Sequence, residues 1–242
     1  DTTWRGHAHL ALGRMSAANH FSHVDAWVFD LDNTLYPASC RLFDQMHVKM
    51  GEYVMRHFNV DYPEARRMQR ELFLRHGTTL RGLMVEHGHA PEGFLEAVHD
   101  IDYASVPANP PLLAALERLP GRKIVFTNGT AKHARNVMER LGVADAFHGV
   151  FDIVDSDHIP KPAAEPYDKF LRAHGVDPAR GAFFEDIANN LKVPHALGMK
   201  TVLVVSEDDA DAKDWQGDRN APFVDYVTRD LAAFLTDLQF GD

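Results

Sequence analysis

Short apolar runs that end in polar residues alternate along this chain with longer amphipathic stretches. Ala26-Trp27-Val28-Phe29, Lys123-Ile124-Val125-Phe126, Gly149-Val150-Phe151-Asp152-Ile153-Val154, Ala182-Phe183-Phe184 and Thr201-Val202-Leu203-Val204-Val205 are continuous enough to predict strands buried on both faces. Helical patterns lie between them near Pro111–Leu119, Ala131–Leu141, Glu165–His174 and Asn189–Leu197, with Gly121, Gly142, Gly175 and Gly198 at the expected stops. Strand–helix alternation of this kind predicts an α/β fold, a doubly wound parallel sheet with right-handed crossovers.

One long interval breaks the alternation. From Pro37 to Asp102 no strand pattern occurs, and Leu42, Met46, Met50, Val54 and Phe58 recur every four residues, as on one face of a helix. Such a length does not suit a crossover loop, so a helical cap domain is expected to be inserted after the first strand. The expected organisation is a flexible N-terminal extension over 1–23, a core formed by 24–36 and 104–242, and a cap over 37–103. About the first 20 residues are expected to be poorly ordered, with Met15-Ser16-Ala17-Ala18 as a plausible natural start. Glu207–Asp218 reads as a solvated acidic loop. Tyr36, Met46, Met50 and Tyr53 read as apolar packing within the cap, although one or two of them could line the pocket.

Composition narrows the function classes. A formal net charge of −10 disfavours a broad grip on a nucleic acid polymer. It leaves room for a small anionic substrate, since a few local cations and a metal can outweigh the global field. Cys40 is the only cysteine, which excludes an intrachain disulfide and suits a reducing, cytoplasmic setting. No apolar run approaches the ~20 residues of a membrane span, so no membrane partner is expected. The pairs His7/His9 and His87/His89 lack the cysteine cluster or H-E-x-x-H helix that would make them zinc ligands.

Four places carry candidate chemistry. Asp30 and Asp32 follow the first strand, where a carboxylate can attack phosphorus and a second can exchange protons with the leaving oxygen and with water. Two carboxylates repel an anionic substrate, so a divalent cation is expected with them. Thr127-Asn128-Gly129 follows the second strand and opens a helix, where a hydroxyl, an amide and free N–H groups suit a phosphoryl oxygen. Lys161 stands between Pro160 and Pro162, a compact ammonium on a restricted backbone. Glu185 and Asp186 end another strand, where Asp186 could complete a Mg²⁺ site begun by Asp30 and Asn190 could brace it. Each has a bland counterpart: a polar turn, a helix N-cap by Thr127 or Asn128, an exposed loop lysine, an acidic N-cap. In this order, each at the end of a predicted parallel strand, they point to one edge of one sheet.

The order D-x-D-x-T, T-N-G, K-P, E-D resembles the haloacid dehalogenase-like superfamily over about Val24 to Asp237, nearly the whole chain. The resemblance implies that Asp30 is the nucleophile and Asp32 the acid/base, with Asp30, Asp186 and the backbone carbonyl of Asp32 on Mg²⁺. It further implies that Thr127 and Lys161 bind phosphate, that Asn128 lies near the phosphoryl group and that Glu185 supports Asp186. The helical insertion looks like the cap that closes over the substrate in this superfamily. Its dehalogenases lack a carboxylate at the position of Asp32, so Asp32 implies phosphoryl transfer.

Phe29-Asp30-Leu31-Asp32-Asn33-Thr34-Leu35-Tyr36-Pro37, His76-Gly77-Thr78-Thr79-Leu80-Arg81-Gly82-Leu83 and Phe184-Glu185-Asp186-Ile187-Ala188-Asn189-Asn190-Leu191 resemble the pyrimidine 5′-nucleotidase subgroup. That resemblance implies a nucleotide as the small phosphate ester, such as UMP or CMP, with Thr78 and Thr79 in a position to set specificity. The same threonines could instead cap the following helix. A sugar-phosphate phosphatase or phosphomutase, and a catalytically silent binding protein on the same fold, are the alternatives.

Overall fold

The computed structural model describes residues 20–205 and 217–240. The start near Met15, the pair His7/His9 and most of the acidic loop Glu207–Asp218 lie outside the described residues. Six strands, β1 (Ala26–Phe29), β2 (Arg122–Phe126), β3 (Gly149–Phe151), β4 (Gly181–Glu185), β5 (Lys200–Val204) and β6 (Tyr226–Thr228), form one all-parallel sheet in the order β3-β2-β1-β4-β5-β6. The chain builds outward from β1 through β2 to β3, then returns to the other side of β1 with β4. That reversal leaves a crevice at the carboxyl ends of β1 and β4, where ligands bind in open sheets of this kind.

Two strand expectations change. β3 stops at Phe151 rather than Val154, because Asp152 turns the chain: its carboxylate accepts the N–H groups of Val154 and Asp155 at 2.9 Å each. β6 has no counterpart in the predicted set. It is three residues long, lies at the sheet edge and buries none of its side chains, so it carries no apolar run.

Core helices are α5 (Pro110–Arg118), α6 (Ala131–Leu141), α7 (Ala164–His174), α8 (Lys192–Ala196) and α9 (Leu231–Thr236), and the insertion between β1 and β2 holds α1 (Leu42–Phe58), α2 (Tyr62–His76), α3 (Thr79–His87) and α4 (Pro91–Val98). The stretch expected to be helical over Asn189–Leu197 divides into a 3₁₀ turn at Ala188–Leu191 and the short α8. Gly142 and Gly175 take left-handed conformations at the ends of α6 and α7, as expected. Gly121 does not end a helix. Helix α5 stops at an extended Leu119, and Gly121 makes the tight entry to β2 at φ 75°.

Alternation along β1 divides the core in two. Trp27 and Phe29 pack with Val125, Phe184 and Val202 against α5, α6 and α9. Ala26 and Val28 face the other layer with Ile124, Phe126, Phe183, Tyr167 and Phe170. Phe29 and Phe184 stack at 4.7 Å, and the Trp27 indole donates to the Pro120 carbonyl at 2.7 Å. Full burial of aromatic rings on both faces fixes the register of the strands, and the register aligns the polar residues that follow them.

The inserted helices have their own apolar cluster: Tyr53, Leu72, Leu80, Leu83, Phe94, Leu95 and Val98. Ile153, from the loop after β3, is buried in that same cluster. Met46 and Tyr53 are buried and Met50 is partly so, whereas Tyr36 packs into the sheet core rather than the insertion. No helix among the described residues is long and apolar enough to cross a membrane.

Gly121 and Gly142 give a paired test of the fold. A Cβ at Gly121 would lie 2.1 Å from the Asp25 carbonyl oxygen, whereas a Cβ at Gly142 meets nothing within 4 Å. Both have positive φ. Gly142→Ala is expected to lower stability by about 1 kcal/mol, and Gly121→Ala by about 3 kcal/mol or more. Urea midpoints of the two variants measure the difference; equal losses would contradict the clash.

Candidate active site

Parallel pairing brings distant residues to one edge. Asp30 follows β1, Thr127 follows β2, the loop after β3 carries Lys161, and β4 ends at Glu185 before Asp186. The Asp30 N–H donates to the Phe184 carbonyl at 2.9 Å, extending the β1–β4 ladder into the site. Lys161 Nζ donates to Asp30 Oδ1 at 2.7 Å, to the Phe126 carbonyl at 2.9 Å and to Glu185 Oε1 at 3.4 Å. Its side chain is 1% exposed, so this lysine is an internal group and not a loop cation in solvent.

The remaining hydrogen bonds hold these groups in place. Thr34 donates to Asp30 Oδ2 at 3.1 Å. Glu185 takes a short hydrogen bond from Asn190 Nδ2 and accepts the Asp186 N–H through its other oxygen at 3.3 Å. Asn33 reaches Asp186 at 3.5 Å. Asn128 is occupied by the lysine loop: its Oδ1 accepts the Lys161 N–H at 2.9 Å and its Nδ2 donates to the Lys161 carbonyl at 3.4 Å. Thr127 is buried, and its Oγ1 accepts the Gly129 N–H at 2.9 Å. The helix after this loop is capped by Thr130, which accepts the His133 N–H, and not by Thr127 or Asn128. Thr78 is the N-cap of α3, accepting the Arg81 N–H at 3.1 Å. Thr79 is buried at the start of the same helix. Their turn reaches the site through Gly77, which lies against Pro160 and the Lys161 carbonyl.

Asp32 sits apart from the Lys161 cluster. Its Oδ1 accepts the Tyr36 hydroxyl at 2.6 Å and meets His133 Nε2 at 2.8 Å. His133 and His99 were not among the expected site residues, and Tyr36 was expected chiefly as packing. His133 shares a helix face with Val137 and Leu141, four and eight residues on, so a polar residue on an apolar stripe was the available signal.

Residues 24–198 match the family profile of the haloacid dehalogenase-like hydrolases. The chain belongs to that family. It is 25% identical over 232 residues to the glyceraldehyde 3-phosphate phosphatase of Methanopyrus kandleri, covering 86% of this chain and 99% of that protein. It is also 25% identical over 199 residues to the phosphate metabolism protein 8 of Saccharomyces cerevisiae, covering 74% of this chain and 61% of the yeast protein. Among solved structures, the hydrolase YfnB of Bacillus subtilis bound to magnesium shares the fold at a TM-score of 0.56, with 16% identity over 89% of this chain and 98% of that one.

In this haloacid dehalogenase-like hydrolase the two carboxylate environments differ. Burial pushes the Asp30 carboxyl up, with the Asp32 charge adding to it, and Lys161 only partly opposes them. Burial and the Asp30 charge push Glu185 up to about 8. Burial and the charges of Glu185 and Asp30 raise Asp186 well above the carboxylate range. Burial alone would raise Asp32 too, but the charge and hydrogen bond of His133, with the Tyr36 hydroxyl, outweigh it and hold Asp32 low. Burial would lower Lys161, and the neighbouring Asp30 and Glu185 charges more than reverse that.

The raised carboxyls reflect burial first and, with it, a shortage of positive charge. Asp30, Glu185 and Asp186 present carboxylate oxygens within 4.8 Å of one another, all buried, against the single ammonium of Lys161. Ionised together, they leave an excess of two negative charges. Hard oxygen donors with that deficit fit a divalent cation such as Mg²⁺. Among the described residues, no second group of three or more such side chains is close enough to hold a metal, and His57, His87 and His89 form an aromatic cluster with Phe58 instead.

The sign of the pH dependence follows. Glu185 keeps its raised pKa only in the fold, so between 4.5 and about 8 the folded chain binds the extra proton and loses stability as pH rises. His99 works in the opposite sense, but only between about 4 and its ordinary 6.5. With chelator present, the melting temperature is therefore expected to fall from pH 6.5 to pH 8, and Glu185→Gln to flatten the fall. Mg²⁺ is expected to raise the melting temperature more at pH 8 than at pH 6.5, because it competes with protons for the carboxylates. Differential scanning fluorimetry reads both; a melting temperature that rises over this range in chelator would contradict the assignment.

Proposed function

We propose that this chain is a Mg²⁺-dependent phosphomonoesterase that works through an aspartyl-phosphate on Asp30 and acts on pyrimidine nucleoside 5′-monophosphates such as UMP and CMP. The observation that carries the chemistry is the buried pairing of Asp30 with Lys161 at 2.7 Å beside a second carboxylate, Asp32, tuned in the opposite direction. Two carboxyl groups with diverging environments suit two roles, nucleophile and proton carrier.

Asp30 attacks phosphorus, and its new bond forms as the bond from phosphorus to the ester oxygen breaks. Asp32 gives its proton to that departing oxygen. Asp32 rests low in the free site, and an approaching phosphate dianion raises its pKa by like-charge repulsion, which supplies the protonated form. In the second half water bonds to phosphorus, passes a proton to Asp32, and the bond to Asp30 breaks. Lys161 faces Asp30 throughout and offsets the charge gathered on the phosphoryl oxygens. Thr127 lines the same edge, and Asn128 holds the Lys161 backbone. Asp30, Asp186 and the Asp32 backbone carbonyl would hold Mg²⁺, with Glu185 and Asn190 orienting Asp186. When bound, the ion supplies positive charge that lets an anionic substrate approach Asp30. The magnesium-bound Bacillus relative supports this part of the reading.

The nucleotide substrate is supported by the three quoted stretches that resemble the pyrimidine 5′-nucleotidase subgroup, with the Gly77-Thr78-Thr79 turn lying over the lysine loop. The match to glyceraldehyde 3-phosphate phosphatase over nearly its whole length favours a second reading, a phosphatase of small sugar phosphates.

Asp30→Asn is expected to lower turnover of p-nitrophenyl phosphate by about 10³-fold or more, and EDTA to remove activity that Mg²⁺ restores. Retained turnover in either case contradicts the mechanism. Steady-state kcat/KM for UMP, CMP, AMP, glyceraldehyde 3-phosphate and hexose phosphates decides the substrate; a preference for the sugar phosphates ends the nucleotide reading and leaves the chemistry standing.

A further inference from the structure

The Tyr36 and His133 hydrogen bonds both converge on one oxygen of Asp32, Oδ1. No hydrogen bond reaches Oδ2 among the described residues, and the Asp32 side chain is 16% exposed. A carboxylate on a short side chain can rotate about its terminal bond and exchange its two oxygens. Two donors fixed on separate pieces of structure prevent that exchange.

Both donors are buried and anchored. Tyr36 is 1% exposed within the sheet core, and burial with the nearby Asp32 charge keeps its phenol protonated, so its hydroxyl donates. His133 is completely buried in the first turn of α6. Its other nitrogen, Nδ1, meets the Tyr103 hydroxyl at 3.0 Å, and its ring stacks on His99 at 4.6 Å. His99 is anchored in turn, Nδ1 to the Leu95 carbonyl at 2.8 Å. The start of α6 is tied to the loop after β3 by Asp152, which accepts the Ala131 N–H at 2.7 Å.

We propose that Tyr36 and His133 are positioning residues that clamp Oδ1 of Asp32 and so dedicate Oδ2 to the proton transfers of phosphate ester hydrolysis. The inference rests on the phosphatase reading. In the first step the proton leaves Oδ2 for the ester oxygen as that oxygen's bond to phosphorus breaks. In the second, water loses a proton to Oδ2 as its oxygen bonds to phosphorus and the phosphoryl group leaves Asp30. Neither donor is open to a substrate, since Tyr36 is 1% exposed and His133 is fully buried. Their effect is that Oδ2 points one way through both steps.

The test separates proton transfer from phosphoryl transfer. An alkyl phosphate needs its leaving oxygen protonated, whereas p-nitrophenolate leaves without help. The variants are His133→Leu, which removes the donor, His133→Gln, whose amide N–H can replace Nε2–H, and Tyr36→Phe. With the alkyl phosphate that the wild-type protein turns over fastest, His133→Leu and Tyr36→Phe are each expected to lower kcat on the order of 10- to 100-fold with little change in KM. With p-nitrophenyl phosphate, rapid mixing is expected to show a first turnover within about threefold of wild type, then a slow steady state limited by the unaided water attack. His133→Gln is expected to recover most of the alkyl phosphate activity. Equal losses on the two substrates in the first turnover, undiminished activity in His133→Leu and Tyr36→Phe, or no recovery in His133→Gln at an unchanged melting temperature would overturn the clamp while leaving the phosphatase reading intact. A wild-type protein inactive on every phosphate monoester would overturn both.

Discussion

Lys161 and Asp30 meet at the carboxyl edge of the sheet with almost no solvent between them, and Glu185 and Asp186 lie close by. An ion pair removed from water is retained only when its remaining donors and acceptors are satisfied. Much of the surrounding structure serves that end. Phe126 offers its carbonyl to the ammonium, Thr34 caps the second oxygen of Asp30, and Asn190 with the Asp186 N–H occupies Glu185. Lys161 Nζ lies 5.3 Å from the centre of the Phe126 ring and 5.7 Å from that of Phe183, so the ammonium rests over the same aromatics that align the strands. The site and the core share side chains.

Asp32 belongs to a second network with another logic. The Lys161 group gathers carboxyls around too little positive charge, whereas Asp32 gathers donors around one carboxyl. The two networks lie two residues apart in sequence and are held by different layers: the lysine loop and β4 for one, α6 and the end of the insertion for the other. This separation lets neighbouring carboxylates keep opposite tendencies.

Much of the architecture was legible in the sequence because parallel strands buried on both faces leave unbroken apolar runs. The runs at Trp27, Val125 and Phe183 mark strands, and the polar residues just beyond each are the ones the sheet brings together. β6 was not legible, since a short edge strand with no buried side chain has neither a run nor an alternation. Asn128 reads in sequence as a free amide at a helix start, but the amide is committed to the Lys161 backbone, a contact across 33 positions that no local pattern encodes. Tyr36 was read chiefly as packing, and His133 was not singled out, for a related reason. Each sits among apolar neighbours at core spacing, so each reads as packing until the fold supplies Asp32 as its partner.

Ile153 belongs by sequence to the loop that leads from β3 toward Lys161, yet its side chain is buried among the inserted helices. Lifting those helices away from the sheet would wet that isoleucine, at a cost of about 2 kcal/mol. The loop bearing the ammonium and the inserted helices are therefore joined by a small oily peg. A shift of those helices would be felt along the backbone that leads to the ammonium, because one aliphatic side chain is anchored in both.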